Sequence, residues 1–242
     1  MKTIRAIPFI YFDAGFTLIR PAPSVGHHYG ECARRFGVEC EAAALDASFV
    51  TAWKATRATS AVSAALPHGR NLEEALGFWT LVVKECFRGA GHAAPADPRY
   101  YQELFDLFAD AGCWALYEDV PEALRLIEEA GARWGVLSNW DPRLHSVLRG
   151  MGLAERASAV VISSEAGAEK PSPEIFLRAQ AAAGVADPAN LALIGDEPSA
   201  DGHGALAAGW RQCLVWRHPT PAPAGLASGP KLTDCVRQIL GP

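Results

Sequence analysis

Residues 7 to 12 read Ile-Pro-Phe-Ile-Tyr-Phe, an apolar run that stops at Asp13, Ala14 and Gly15. A run of that length, closed by a turn signal, predicts a strand buried on both faces of a parallel sheet. Ile19-Arg20-Pro21-Ala22-Pro23 follows and cannot continue a helix or a central strand, so it marks the exit into a second domain. From about 25 to 113 apolar positions recur at helical spacing. They predict helices over 27–36, 42–60, 71–88 and 98–111, punctuated by Gly37, the Pro67-His68-Gly69 turn and the loop 89–95. Phe49, Trp53, Phe78, Trp79, Val82, Val83, Phe87, Leu104, Phe105 and Phe108 read as the packed core of those helices.

From Leu116 the period changes. Helices over 122–130, 142–150, 173–183, 202–208 and 232–240 alternate with strands over 133–137, 159–163, 191–194 and 212–216. The stretch 219–230 reads as a surface loop. Alternation of this kind implies a parallel sheet with right-handed crossovers. The first strand has no partner of its own kind nearby, so it belongs to this later sheet. The expected architecture is α/β: a doubly wound core of residues 1–19 and 115–242, interrupted by an all-helical insertion over 20–114.

Composition narrows the function classes. The 242 residues are 50% hydrophobic and 20% charged, enough for one large globular domain or two small ones. A formal charge of −5 without Lys/Arg runs argues against a nucleic-acid or anionic-membrane partner. It does not argue against a small anionic substrate, because a site sets its own charge. The six cysteines are scattered with no Cys-x-x-Cys pair, which is neither a zinc pattern nor a disulfide scaffold. With no signal-type apolar region and nothing near the roughly 20 apolar residues of a membrane span, a reduced, soluble, cytoplasmic protein is expected.

Several polar residues fall where strands should end: Asp13 with Thr17, Ser138 with Asn139, and Asp196 with Asp201. Lys170 stands before Pro171 at a helix entrance. In an open parallel sheet such strand ends share one edge, so these groups can converge. Together they suit phosphoryl transfer. One carboxylate can act as nucleophile, another can help hold Mg²⁺, a hard ion that prefers oxygen, and a hydroxyl and a lysine can stabilise charge on the transferring group. Taken singly, each has a plainer reading as a helix-capping Asp, a strand-end turn or a solvated lysine.

The order Asp13-x-x-x-Thr17, Ser138-Asn139, Lys170-Pro171 and Gly195-Asp196-x-x-x-x-Asp201 resembles the four motifs of the haloacid dehalogenase (HAD) superfamily. The helical insertion looks like its C1-type cap. Phe49…Ala52-Trp53, Pro67…Gly69, Phe78-Trp79…Leu81-Val82 and Ala90-Gly91 resemble the HDHD3/REG-2-type branch. The resemblance implies a Mg²⁺-dependent hydrolase, foremost a phosphatase of small phosphorylated metabolites, working as a monomer or homodimer. It implies Asp13 as the nucleophile forming an aspartyl-phosphate. Mg²⁺ would be bound by Asp13, the Gly15 carbonyl and Asp196, with Asp201 assisting. Ser138 would bind phosphoryl oxygens, Asn139 would order its loop or touch substrate, Lys170 would neutralise charge, and Thr17 would steady the turn.

Two residues depart from that pattern. Phosphatases of the superfamily carry a second Asp two residues after the nucleophile, where this chain has Gly15, and Phe16 stands where glycine is usual. General acid–base help contributes roughly 10²–10⁴-fold, so its loss penalises poor leaving groups most. Four readings follow. A slow phosphatase could handle activated esters or borrow a proton donor, with His27, His28 and Glu197 as candidates. A 2-haloacid dehalogenase would need neither that Asp nor a metal, although Gly195-Asp196 keeps a metal ligand. A phosphonoacetaldehyde-type hydrolase would use a cap lysine as Schiff base, for which Lys54 is placed, although a solvated helix face explains Lys54 as well. The fourth reading is a binding protein that keeps fold and metal without turnover.

Overall fold

A computed structural model describes residues 8–59 and 69–241. Ile7, Ser60, Pro67 and His68, which enter the expectations above, lie outside the described residues. The chain divides into two compact units: Met1–Ile19, Leu116–Asn139 and Leu153–Pro242 form the first, and Arg20–Ala115 with Trp140–Gly152 the second.

The first unit is built on β1 (Phe9–Phe12), whose four residues are all buried. It pairs in parallel with β4 (Arg133–Ser138) on one side and β6 (Leu191–Gly195) on the other. Beyond β4 lies β5 (Val160–Ile162), and beyond β6 lie β7 (Arg211–Val215) and the two-residue β8 (Ser228–Gly229). The strand order is thus β5-β4-β1-β6-β7-β8. Continuous apolar strands such as β1 and β6 require cover on both faces. That cover comes from helices with one apolar stripe. In α5 (Val120–Glu129), Val120, Ala123, Leu124 and Ile127 are the buried positions, at spacings of three and four. In α8 (Pro173–Ala183), Pro173 opens the first turn and Gly184, at φ 66°, closes the last. Tyr11, Phe176, Leu193 and Trp210 meet in the core between sheet and α8.

The order reverses at β1, since the chain builds outward to β5 and then returns to build outward through β6. A reversal of this kind opens a crevice at the carboxyl ends of the strands. Phe12 lies opposite both Val136 and Ile194, so Asp13, Ser138 and Asp196 leave the sheet side by side.

The second unit holds α1 (Val25–Arg34), α2 (Ala42–Thr59), α3 (Leu72–Gly89) and α4 (Pro98–Leu107) around Tyr29, Leu45, Val83, Phe87, Tyr100 and Leu104. Ser24, Asn71 and Asp97 cap α1, α3 and α4 through their side chains. The helix expected over 98–111 stops at Leu107. The Asp110 side chain accepts from the Gly112 amide at 2.8 Å and starts a separate 3₁₀ turn, Ala111–Cys113, which leads into β3 (Trp114–Leu116). Residues 140–152, including α6 (Leu144–Gly150), were expected with the α/β unit but group with the helices instead. The cause is Asp141: its buried carboxylate pairs with Arg143 at 2.7 Å and accepts from the Trp79 indole at 3.2 Å, while Arg143 donates to the Phe105 carbonyl at 2.8 Å. Three further differences are small. β2 (Ile19–Pro21) pairs with β3, a short α7 (Ser163–Ala166) follows β5, and β8 lies in the stretch read as loop. Among the described residues no helix is long and apolar enough to cross a membrane.

Candidate active site

Asp13 leaves β1 with its amide donating to the Ile194 carbonyl at 2.9 Å, which extends the β1–β6 ladder by one bond. Its Oδ1 accepts from Ser138 Oγ at 2.9 Å and from Lys170 Nζ at 2.7 Å. Lys170 Nζ also donates to Asp201 Oδ1 at 2.6 Å, so one buried ammonium bridges two carboxylates. The lysine is held by its backbone. Asn139 Oδ1 accepts from the Lys170 amide at 2.7 Å, and Asn139 Nδ2 donates to the Lys170 carbonyl at 2.9 Å. That reciprocal pair ties the loop after β4 to the loop before α8.

Asp196 follows the last residue of β6. Its Oδ1 accepts from the fully buried Thr17 hydroxyl at 3.3 Å. Thr17, expected to steady the turn after Asp13, also reaches across to Asp196. Asp201 lies on a π-helical turn, Pro198–His203, which takes the first two positions of the helix expected over 202–208; α9 (Gly204–Ala207) begins only after it. The π turn widens the backbone so that the amides of both Asp201 and Gly202 donate to the Glu197 carbonyl, at 2.9 and 3.3 Å. It also brings the Asp201 carboxylate back over the strand end, where Oδ2 accepts from the Glu197 amide at 3.0 Å. A Cβ on Gly195 would stand 2.1 Å from Asp201 Oδ2, so this approach requires glycine.

Asp13, Asp196 and Asp201 each present a carboxylate oxygen within 4.8 Å of the others, an acidic triad able to hold a metal ion. Its electrostatics fit a cation. Burial raises the Asp13 carboxyl above the ordinary range; the Lys170 ammonium opposes the rise and Asp201 adds to it. Burial, together with Asp13 and Asp201, pushes Asp196 up to about 8. Burial alone would lower Lys170, but the Asp13 and Asp201 carboxylates outweigh it and hold the ammonium charged. One ammonium among three carboxylates leaves excess negative charge, which an oxygen-preferring divalent ion would neutralise.

Of the other candidates, Glu197 and His28 have partners of their own. Glu197 is exposed and its side chain caps the Ala200 amide. His28 Nε2 lies 2.9 Å from the Ala22 carbonyl and its ring stands edge-on to Phe108; burial lowers its pKa. His27 is half-buried on α1, and Lys54 is exposed on α2. Gly15 does not have a positive φ, whereas Phe16 does, at 57°, and the residue is 47% exposed. Two residues behind this turn carry no sequence signal: Arg217, which donates to the Phe16 and Thr17 carbonyls, and Asp119, which accepts from Arg217. A single Arg entering a Pro-rich loop carries no periodic or motif signal.

Comparison with known proteins points to one family. Residues 17–209 match the family model described as haloacid dehalogenase-like hydrolase. The Bos taurus haloacid dehalogenase-like hydrolase domain-containing protein 3 is 36% identical over 205 residues, covering 84% of this chain and 80% of that protein. A phosphoserine phosphatase of Thermus thermophilus is 36% identical over 151 residues, 61% of this chain and 60% of its own. Among solved structures, the L-2-haloacid dehalogenase RSc1362 superposes with a TM-score of 0.72 over 98% of this chain and 100% of its own, at 20% identity. That last likeness speaks for the fold alone. The α/β core, the acidic triad and the match over most of the chain together place this protein in the family of haloacid dehalogenase-like hydrolases, in the branch of domain-containing protein 3.

Proposed function

We propose that this hydrolase is a Mg²⁺-dependent phosphatase of small phosphate esters that lacks an internal proton donor. The observation that carries the reading is the placement of Lys170 and Ser138 on the same oxygen of Asp13, beside the triad with Asp196 and Asp201. Both bonds end on Oδ1, which leaves Oδ2 without a hydrogen-bond partner among the described residues and available to attack. In the proposed reaction Asp13 Oδ2 forms a bond to phosphorus while the bond from phosphorus to the ester oxygen breaks. The leaving oxygen takes its proton from water, and a second water then attacks the aspartyl-phosphate, releasing phosphate and restoring the carboxylate. Lys170 compensates charge on Asp13 and the phosphoryl oxygens, and the Ser138 hydroxyl turns from Asp13 Oδ1 to donate its one proton to a phosphoryl oxygen. Asp13, the Gly15 carbonyl, Asp196 and Asp201 would hold Mg²⁺, which supplies positive charge beside the transferring group. The helical unit is proposed as the cap that selects substrate. The relative of Thermus thermophilus supports phosphate-ester chemistry.

The test is turnover of p-nitrophenyl phosphate, whose leaving group needs little protonation. Turnover should require Mg²⁺ and vanish in Asp13→Asn. Gly15→Asp should raise activity on alkyl phosphates by up to roughly 10²-fold, since the backbone there holds no left-handed φ to forbid a side chain. Halide release from 2-chloropropionate without metal would replace this reading with dehalogenation, and borohydride trapping on Lys54 would replace it with a Schiff-base route. Metal and phosphate binding without turnover would mark a binding protein.

A further inference from the structure

Arg217, just beyond β7, makes a set of contacts that no role above uses. Its Nη1 donates to the carbonyls of Phe16 at 3.0 Å and Thr17 at 3.4 Å. Its Nη2 donates to the two carboxylate oxygens of Asp119 at 3.0 and 3.3 Å. Its guanidinium carbon lies 3.8 Å from the centre of the Tyr117 ring. Asp119 Oδ2 in turn accepts from the Leu232 amide at 2.7 Å, where α10 (Leu232–Leu240) begins. The guanidinium fork, oriented from three sides, therefore ends on two successive carbonyls of the turn that follows Asp13.

That turn has a reason to need holding. Phe16 is the one non-glycine among the described residues with a left-handed backbone, a conformation in which Cβ crowds the following carbonyl. Burial recovers little in return, since the residue is about half exposed. Thr17, the next residue, carries the hydroxyl that bonds Asp196. If the turn relaxes, that hydroxyl moves, and Asp196 loses its one side-chain donor among the described residues.

We propose that Arg217 and Asp119 are a positioning pair that locks Phe16 left-handed and Thr17 against Asp196, and so sets the geometry of the metal site. The proposal rests on the reading of Asp196 as a Mg²⁺ ligand. Neither residue touches reacting atoms. A lysine cannot reproduce the planar fork that spans two carbonyls and a carboxylate.

The experiment compares the parent with Arg217→Ala, Arg217→Lys, Phe16→Gly and the double variant Arg217→Ala/Phe16→Gly. Mg²⁺ affinity is read by calorimetric titration, and amide exchange is read at Phe16, Leu18 and Ile19, whose N–H groups close the turn onto Ile19 and Ala14. Arg217→Ala should weaken Mg²⁺ binding by roughly 10-fold or more, as loss of outer support does at metal sites, and should speed exchange at those amides. Arg217→Lys should restore neither. Glycine adopts a φ of this sign without strain, so the double variant should regain most of the lost affinity and protection. Its melting temperature should stay low, because the link between Asp119 and α10 remains weakened. Unchanged Mg²⁺ affinity in Arg217→Ala with a lowered melting temperature would make the pair merely structural and overturn the proposal. A double variant no better than Arg217→Ala would overturn it too. A parent that binds no Mg²⁺ would sink the phosphatase reading instead, and amide exchange would then decide whether the clamp holds the turn.

Discussion

At the scale of single residues, the site gives up stability for chemistry, and Asp196 shows the cost. Its carboxyl is raised to about 8 by burial and by the neighbouring carboxylates Asp13 and Asp201. An unfolded Asp titrates near 4. Between those values the folded chain binds more protons than the unfolded one, so without divalent metal its stability falls as pH rises through that window. Asp196→Asn keeps an oxygen for the Thr17 hydroxyl and removes the ionisation. In EDTA at pH 8 it should be more stable than the parent by at least about 1 kcal/mol, with the difference fading toward pH 4, while any stabilisation by Mg²⁺ disappears. Urea melts at three pH values check this, and a variant less stable than the parent at pH 8 would refute the account of crowding. Asp13, Lys170 and Asp196 could be picked out of the sequence because each ends a run or opens a helix, so its position is set by local pattern. Arg217 and Asp119 could not: Arg217 meets Phe16 across 201 residues of chain and Asp119 meets Arg217 across 98, through contacts that only the closed sheet creates.

At the scale of elements, α6 and the segment before it carry the clearest consequence. Burial alone would raise the Asp141 carboxyl, but the Arg143 guanidinium and the Trp79 indole hold it below the usual carboxylate range. A carboxyl depressed on folding adds stability above its unfolded value near 4, and that stability is lost as pH falls through the lower folded value. Asp141→Asn leaves a buried guanidinium unpaired and should cost about 3 kcal/mol at pH 7, with the penalty shrinking below about pH 4. Chemical denaturation at pH 7 and pH 3 measures it, and equal penalties at both would refute an ionic origin. The same element shows where periodicity stops being informative. The apolar spacing of 142–150 gives a helix, and α6 is one, but spacing does not say what its apolar face meets. Membership in the helical unit is decided by the Asp141–Arg143 pair and by the Phe105 carbonyl, both polar and therefore invisible to a hydrophobic pattern. The strands β1, β4, β6 and β7 were legible because a fully buried strand is a plain apolar run. β8 was not, because two residues in a Gly/Pro-rich stretch hold no pattern.

At the scale of the whole molecule, the two units have separate cores, with Tyr11, Phe176 and Trp210 in one and Tyr29, Phe87 and Tyr100 in the other. The triad belongs to the first alone, since Asp13, Asp196 and Asp201 all come from its segments. A ligand that binds only the folded form of one unit stabilises that unit by RT ln(1 + [L]/Kd), about 2.7 kcal/mol at a hundredfold excess over Kd. For a unit of this size that amounts to a rise of about 5–10 °C. Scanning calorimetry should therefore resolve two transitions in EDTA, and Mg²⁺ should move one of them upward and leave the other in place. Asp196→Asn should lose the Mg²⁺ response, while Asp141→Asn should lower the insensitive transition. The outcome turns on cooperativity: the chain passes between the units at 19–20, 115–116, 139–140 and 152–153, and the third passage directly follows Asn139. If that passage transmits strain, both transitions move together with Mg²⁺, and the view of two independently melting units fails even though the metal site stands.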